Sequence, residues 1–420
     1  MRKKSRIGFI STRLSGTDGV SLETAKWVKV LKGMGHECFF LAGESEWPEE
    51  NSLVVPEAHF AHPDIRALNV DLFDDFVRFS ETTQKIDRLK QHLKQQLYRF
   101  KDRFNPQVLV VENALSLPMN VPLGLAISEF IAETDIHTVA HHHDFTWERQ
   151  RYAVTAADDY LRAAFPPTLH AIRHVVINSF AERQLALRTG ISSMLIPNVM
   201  DFDSPPPEKD GYADDLRERL RIPPEAYLLL QPTRIVSRKR IERAIELARR
   251  LDLACALVIT HHSGDEGQAY EAYLHDYARL LDVKVHFAAE FFAPRRHQGP
   301  DGQRIYSLAD AYQYADLVTY PSRVEGFGNA FLETIYFRRP ILMSNYEIFK
   351  TDIQPKGFKI VSFDDYISSD CVQNTRHLLQ HPGEIEAMVA HNYELGRQYY
   401  SFRMLEARLD FLMKEALGYG

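Results

Sequence analysis

The sequence predicts an α/β protein built from two doubly wound parallel-sheet domains of similar size. Three observations carry that expectation. Short apolar runs alternate with amphipathic segments along almost the whole chain, the pattern of repeated strand–helix units. The alternation pauses at a proline-rich stretch, from Ile196-Pro197-Asn198 to Pro205-Pro206-Pro207, and then restarts. Glycine-containing and charged motifs follow the ends of the apolar runs, where open parallel sheets bind their ligands.

The elements follow in order. Residues 6–12 read as a buried strand. Trp27, Val28, Leu31 and Met34 then share one helical face, and Gly35 ends that helix. A strand is expected over 38–42. Residues 71–104 form one long helical pattern, with Ile86, Leu89, Leu93, Leu97, Phe100 and Phe104 spaced by three or four. That stripe suits a core-covering helix or a surface for a second subunit, so monomer and homodimer both stay open. Further strands are expected over 108–112, 137–142, 174–178 and 195–197. Three successive prolines fit neither a helix interior nor a central strand, so 196–207 reads as the linker. Beyond it, strands are expected over 228–231, 256–260, 283–287, 317–320, 341–344 and 359–363, with helices over 240–251, 270–281 and 329–337. Phe402, Leu405, Leu409 and Leu412 close the chain with another helical stripe.

Composition narrows the function. The 420 residues suit two or three domains, and 45% apolar with 25% charged residues is ordinary for a soluble globular protein. Lys+Arg 50 against Asp+Glu 57 gives a net charge of -7, which does not favour nucleic acid. Cys38, Cys255 and Cys371 are isolated, so no zinc ribbon, redox pair or disulfide framework is indicated and a reducing cytoplasm fits. The basic start Met1-Arg2-Lys3-Lys4 precedes an apolar run too short for a signal peptide, and no run approaches membrane-spanning length.

Chemistry-bearing residues cluster after expected strands. Arg234 follows the first strand of the second half, and Lys239 follows Arg234 closely. A planar guanidinium and a mobile ammonium at a strand-to-helix turn suit a diphosphate; a solvated basic helix start, flanked by Arg238 and Arg240, is the plainer reading. Glu325-Gly326-Phe327-Gly328-Asn329 follows residues 317–320 and opens a helix. Its glycines allow close backbone approach, and the first free N–H groups can face an anion. Glu333, on that helix, leans back toward the same loop. Two carboxylates there would accept hydroxyl donors from ribose and from a hexose; each alone is also an ordinary helix-start glutamate.

The spacing Glu325-x7-Glu333, within Pro321-Ser322-Arg323-Val324-Glu325-Gly326-Phe327-Gly328, together with Arg234-x4-Lys239, resembles the retaining glycosyltransferases of family 4, which have the GT-B fold. Ile196-Pro197-Asn198 resembles the domain crossover of that family, and residues 11–20 its first glycine loop. The resemblance implies a first domain over 1–198 facing a central cleft, a donor domain over 199–395, and a last segment, 396–420, returning to the first domain. It implies that Arg234 and Lys239 neutralise the donor diphosphate, Glu333 holds ribose, and Glu325 contacts the donor sugar. It assigns backbone groups of Gly326, Phe327, Gly328 and Asn329 to sugar and phosphate, and it implies retention of configuration with no catalytic metal or cofactor beyond the nucleotide sugar. The loop departs from the family in one respect: Gly16-Thr17-Asp18-Gly19 replaces adjacent glycines. Gly19 is then expected to approach the donor, with Asp18 meeting acceptor hydroxyls.

His141-His142-His143-Asp144 ends a first-half strand, with His141 and His143 on one face and His142 on the other. By the resemblance, His143 lies near the donor sugar. Hydrogen-bonded strand-end histidines are the plainer reading for His141 and His142, although His142 and Asp144 are also expected to line an acceptor site. Metal binding is a third option, weakened by the absence of a His-x3-His helix pair. Asn113, Arg13, Arg149 and Arg151 also follow first-half strands; the arginines suit a carboxylate or phosphate on an acceptor, or are solvated surface cations. His261, His262 and Gly264 end a second-half strand and are expected near the nucleotide. Within the family, the Gly-Thr-Asp-Gly-Val loop and the His-His-His-Asp-Phe-Thr-Trp-Glu-Arg run resemble mannosylglucosylglycerate synthases, implying GDP-mannose and an acidic glucosylglycerate acceptor. UDP-glucose as donor, a UDP-sugar epimerase on the same fold, a non-enzymatic sugar-nucleotide sensor, and a metal-dependent transferase using Asp201-Phe202-Asp203 are the alternatives.

Overall fold

Every strand pairing in both main sheets is parallel. The computed structural model describes residues 4–263 and 268–418, so the basic start over 1–3 and Gly264, with residues 265–267 and 419–420, lie outside the described residues. Two units are present: Met1–Val199 with Phe402–Gly420, and Met200–Ser401.

In the first unit, strands β1 (Arg6–Ile10), β2 (Glu37–Ala42), β3 (Ser52–Val54), β4 (Val108–Glu112), β5 (His137–His142), β6 (Ile172–Val176) and β7 (Ser193–Leu195) form one seven-stranded sheet in the order β3-β2-β1-β4-β5-β6-β7. The helices are α1 (Gly19–Gly33), α2 (Pro63–Phe73), α3 (Ser80–Phe104), α4 (Val121–Thr134), α5 (Asp158–Ala164) and α6 (Ser179–Thr189). Near-continuous apolar strands such as Val108-Leu109-Val110-Val111 need cover on both faces, and they have it. One face packs Ile7, Phe9, Val108 and Val110 against Trp27, Val28 and Leu31 of α1. The other packs Ile10, Leu109 and Val111 against Leu93, Leu97 and Phe100 of α3 and Ile127 and Phe130 of α4. A Cβ on Gly8 would lie 2.7 Å from the Phe100 ring, so glycine there lets α3 close on the sheet.

In the second unit, α7 (Leu216–Arg219), β8 (Tyr227–Gln231), α8 (Glu242–Arg250), β9 (Cys255–Ile259), α9 (Gln268–Leu280), β10 (Val285–Phe287), a small sheet of β11 (Phe292–Ala293), β12 (His297–Gln298) and β13 (Arg304–Ser307), α10 (Leu308–Tyr314), β14 (Leu317–Tyr320), α11 (Asn329–Tyr336), β15 (Ile341–Ser344), β16 (Val361–Phe363), α12 (Ser369–Gln380) and α13 (Pro382–Tyr400) follow in turn. The main sheet has six strands in the order β10-β9-β8-β14-β15-β16. Its core gathers Leu229, Leu257, Leu317 and Leu342 with Ile241, Ile245 and Leu247 near α8 and Leu379 of α12.

The last helix, α14 (Phe402–Leu417), belongs to the first unit. Leu405, Leu409, Leu412 and Met413 join the Trp27 cluster, and each fully buried leucine contributes about 1.5–3 kcal/mol.

Four expectations need correction. The helix expected over 71–104 is two helices, because α2 ends at Phe73 and α3 begins at Ser80. Asp74 and Asp75 are poor helix formers. Arg78, in the break, donates to the Ala156 carbonyl at 2.7 Å and to both Asp159 carboxylate oxygens at 2.8 and 2.7 Å. The boundary expected at 396 falls inside α13, where Gly396 lies so close to Phe202 that a Cβ would be 2.6 Å from its ring. Pro205–Pro207 is no loose linker: the Pro205 carbonyl accepts from Tyr336 Oη at 3.1 Å and the Pro207 carbonyl from Gln313 Nε2 at 2.7 Å. Two parallel-sheet units also contradict the different architecture that the transferase alternative drawn from Asp201-Phe202-Asp203 would need. Phe202 is 2% exposed and packs edge-on to Tyr336 and Tyr393, so it anchors the core of its unit.

Candidate active site

Each main sheet has one point where its winding reverses, between β1 and β4 and between β8 and β14. Strand ends at such a point leave a crevice open to a ligand. The residues singled out in the sequence fall at these two places, and each is described within its own unit.

At the β8/β14 point, a single 3₁₀ turn, Ser237–Lys239, delivers Lys239 into a buried position, 8% exposed. Its ammonium pairs with the Glu325 carboxylate and lies 5.2 Å from the centre of the Tyr320 ring. Arg238 reaches the same carboxylate at 3.4 Å. Arg234 is exposed, and its guanidinium has no hydrogen-bond or ion-pair partner among the described residues. Two cations thus meet one carboxylate, and Arg234, whose charge is felt by Lys239, brings the local sum to +2. Burial lowers the pKa of Lys239, and the positive charges of Arg238 and Arg234 add to that; Glu325 opposes it without reversing it. Burial would raise Glu325, but Lys239 and Arg238 outweigh it and hold the carboxyl below its usual value. His261 is pushed down to about 4, by burial first and then by Arg234 and Lys239, and its Nδ1 lies 2.9 Å from Thr260 Oγ1. A neutral imidazole beside the two cations adds no charge of its own.

The loop from Pro321 to Asn329 is held from behind by tyrosines. Tyr346 donates its hydroxyl to the Phe327 carbonyl at 2.7 Å. Gly328 has φ 118, and a Cβ on it would sit 2.5 Å from that hydroxyl, so only glycine fits. Phe327 is 2% exposed against Tyr400, which leaves its backbone N–H rather than its side chain for a ligand. Asn329 begins α11. Glu333, half-buried, accepts from Tyr312 Oη at 2.8 Å. The two glutamates of the Glu-x7-Glu spacing therefore have different surroundings: Glu325 is bound to cations, and Glu333 is oriented by a neutral phenol.

At the β1/β4 point, the end of β4 carries Glu112, which is completely buried. Its Oε2 lies 2.9 Å from Nδ1 of His141 and 3.1 Å from Nε2 of His143, both on β5 or just after it. His141 stacks on Trp27 of α1, with centroids 4.2 Å apart. Burial alone would raise Glu112; the two imidazoles outweigh it and hold the carboxyl at about 2. Burial likewise works against a charged His143, but the hydrogen bond and charge of Glu112 win and its pKa is raised. His141, with no exposure, is lowered by burial despite the same carboxylate. Glu112, His141 and His143 also offer three metal-ligand-type atoms within 4.8 Å of one another. Glu112 carries no proton at neutral pH, so both facing nitrogens carry one, which makes the cluster a carboxylate clamped by two imidazoles.

The remaining first-unit residues divide. Asn113, at φ 62, spends its side-chain oxygen on the backbone N–H of His143 at 3.0 Å and of Asp144 at 3.2 Å. Only its amide nitrogen is left for the acceptor role expected of it. The acceptor role expected of His142 does not survive. His142 is 1% exposed on the other face of β5, its Nε2 2.9 Å from His174 Nδ1, and burial holds it neutral. Asp18 caps α1, accepting from the N–H groups of Val20 and Ser21 at 3.0 and 3.2 Å. It also pairs with Arg13 at 2.9 Å. A carboxylate thus already occupies the start of that helix, so Gly19, its first residue, contributes its own N–H at most, and Arg13 is neutralised before any acceptor arrives. Arg149 pairs with Asp144 at 2.6 Å. Arg151 donates to Tyr152 Oη and lies over its ring at 4.5 Å. No hydrogen bond or ion pair among the described residues links Arg13 to Arg149 or Arg151. His262 is exposed.

Sequence reasoning missed Glu112. Its signal was legible: one acidic residue ends the strand Val108-Leu109-Val110-Val111-Glu112. A lone charge at the carboxyl end of a strand buried on both faces marks a site.

Comparison with known proteins places this geometry. The family model for group 1 glycosyl transferases matches residues 213–364. A mannosylglucosylglycerate synthase of Thermotoga maritima is 33% identical over 98% of this chain and 100% of its own length. A protein of the same name from Petrotoga mobilis is 34% identical over 85% of this chain and 86% of its own. The crystal structure of a glycosyltransferase from Rickettsia africae superposes with a TM-score of 0.72 at 13% identity, covering 100% of both chains. That likeness establishes the GT-B fold.

Proposed function

Because the chain belongs to the group 1 glycosyltransferases, we propose that it transfers mannose from GDP-mannose, with retention, to a small acidic acceptor of the glucosylglycerate kind. The observation that carries this reading is the whole-length similarity to a mannosylglucosylglycerate synthase, joined to a net positive cluster at the β8/β14 crevice.

A nucleoside diphosphosugar brings two phosphate charges, which match the excess of Arg234, Arg238 and Lys239 over Glu325. Arg234 and Lys239 take the diphosphate. The N-terminal end of α11, which begins at Asn329 after Gly328, adds partial positive charge. Glu333 accepts from the ribose hydroxyls, oriented by Tyr312. When the phosphate engages Lys239, Glu325 is released to accept from the hexose. Charge builds on the departing phosphate oxygen as the sugar gains oxocarbenium character, and fixed cations at that oxygen stabilise the transition state more than the ground state. The acceptor hydroxyl attacks from the face the phosphate leaves and gives its proton to a phosphate oxygen, so no protein nucleophile is needed. His143 contacts the transferred sugar, and Arg149 and Arg151 serve the acceptor carboxylate, Arg149 by exchanging Asp144 for it. No metal or further cofactor enters this scheme.

The test is product analysis. The full chain is incubated with GDP-mannose, UDP-glucose or ADP-glucose, with and without glucosylglycerate, in the presence of EDTA. A retained mannosyl linkage formed only with GDP-mannose and acceptor supports the reading. Conversion of a UDP-sugar without acceptor indicates an epimerase, and intact donor with every acceptor indicates a sensor.

A further inference from the structure

Glu112 has no part in the scheme above, yet it is the most completely enclosed charge at the β1/β4 crevice. Two consecutive residues at the end of β4 fix His143 at two points. The Asn113 side-chain oxygen takes its backbone N–H at 3.0 Å, and Glu112 Oε2 takes its ring at 3.1 Å. His141 holds the same oxygen from the other side at 2.9 Å and is itself stacked on Trp27. A side chain held by backbone, ring and a packed neighbour has one orientation. With Nε2 turned to Glu112, the nitrogen left to a ligand is Nδ1, and the residue keeps 8% of its surface exposed.

We propose that Glu112 is a positioning residue for the transfer: its carboxylate pins Nε2 of His143, with His141 as a second clamp, so that Nδ1 is the nitrogen offered to the transferred sugar. This rests on the glycosyltransferase reading. The charged groups around His143 support it. Glu112 on β4 and Glu23 on α1 both favour its imidazolium, as does Asp144 in the following loop. Glu23 is held by Lys26 at 2.9 Å and by the Val199 N–H at 3.1 Å, and Asp144 by Arg149. His141 and His142 on β5 are the other titratable neighbours, and burial keeps both neutral. The imidazolium form of His143, which these carboxylates favour, donates at Nδ1 instead of accepting, a role suited to a sugar or phosphate oxygen that gains charge.

The test uses the full chain labelled with ¹⁵N-histidine. In the wild type, long-range ¹H–¹⁵N spectra should show His143 protonated at Nε2 throughout about pH 6 to 8. Glu112→Gln should lose that signature. It should also lower kcat roughly 30-fold, the order expected for a lost charge-assisted hydrogen bond, and leave donor KM within about two-fold. His141→Phe, which keeps the Glu112–His143 contact, should retain the His143 signature and lose less kcat. Unchanged kcat and pH profile in Glu112→Gln would overturn the proposal, as would His143 protonated only at Nδ1 in the wild type. Stoichiometric divalent metal that disappears in Glu112→Gln would also overturn it, by making the cluster a metal centre. Should Glu112→Gln not fold, the wild-type and His141→Phe spectra decide the matter. A wild type with the stated signature and no transfer from any donor would count against the glycosyltransferase reading alone.

Discussion

Arg234 and Lys239 carry the same charge at the same crevice, but their removal should have different consequences. Arg234→Ala deletes an exposed cation with no partner among the described residues, so the melting temperature should stay within about 2 °C of wild type. Against a diphosphate the guanidinium is worth about 4 kcal/mol gross at 4 Å and an effective dielectric of 20. The net loss for a charge-assisted hydrogen bond is about 1.5–3 kcal/mol, so kcat/KM should fall roughly 10- to 150-fold. Lys239→Ala loses the same contact and also strands the Glu325 carboxylate, whose side chain is 10% exposed, with Arg238 at 3.4 Å as its remaining cation. Removing one member of a buried pair costs about 3–5 kcal/mol, and in a unit of this size the melting temperature should drop by roughly 10 °C. Donor kinetics and thermal melts on both variants make the comparison. Arg234→Ala with kcat/KM within about two-fold of wild type, or Lys239→Ala with an unchanged melting temperature, would refute the reasoning.

Gly328→Ala forces a Cβ to 2.5 Å from Tyr346 Oη at φ 118. It should cost about 1–3 kcal/mol and weaken donor binding, and an unaltered melt would show that the loop yields freely. Burial holds His174 near a pKa of about 4, whereas the unfolded imidazole takes its proton below about pH 6.5. Its contribution is therefore full above pH 6.5 and lost as pH falls toward 4, by up to about 3 kcal/mol. Denaturant titrations should show His174→Gln losing less stability than wild type across that window, and parallel curves would contradict the assignment. Arg149→Ala should raise acceptor KM about ten-fold or more with little change in donor KM; the reverse pattern would remove Arg149 from the acceptor site.

The strand framework was legible because parallel strands covered on both faces must be apolar runs. Those over 108–112, 137–142, 317–320 and 341–344 match to the residue. The last helix was legible from Leu405, Leu409 and Leu412, whose spacing needs a partner face whatever its identity. The break between α2 and α3 was not, because it depends on Arg78 meeting Asp159, a contact between residues far apart in sequence. The small sheet of β11, β12 and β13 escaped because strands of two to four residues carry no period. At the site, residue types after strand ends could be picked out, but not which were already spent. Asp18 looks the same in a sequence whether it caps a helix or meets a sugar. The arrangement of His141 and His143 on one face followed from alternation, whereas their shared carboxylate lies on the neighbouring strand and only the fold brings it there.

The central claim is that Arg234 and Lys239 receive the donor's diphosphate. A crystal structure with GDP-mannose tests it most directly. The pyrophosphate should lie within hydrogen-bonding distance of both side chains, with Glu325 turned from Lys239 toward the sugar. A pyrophosphate bound elsewhere, with the Lys239–Glu325 pair intact, would contradict the account.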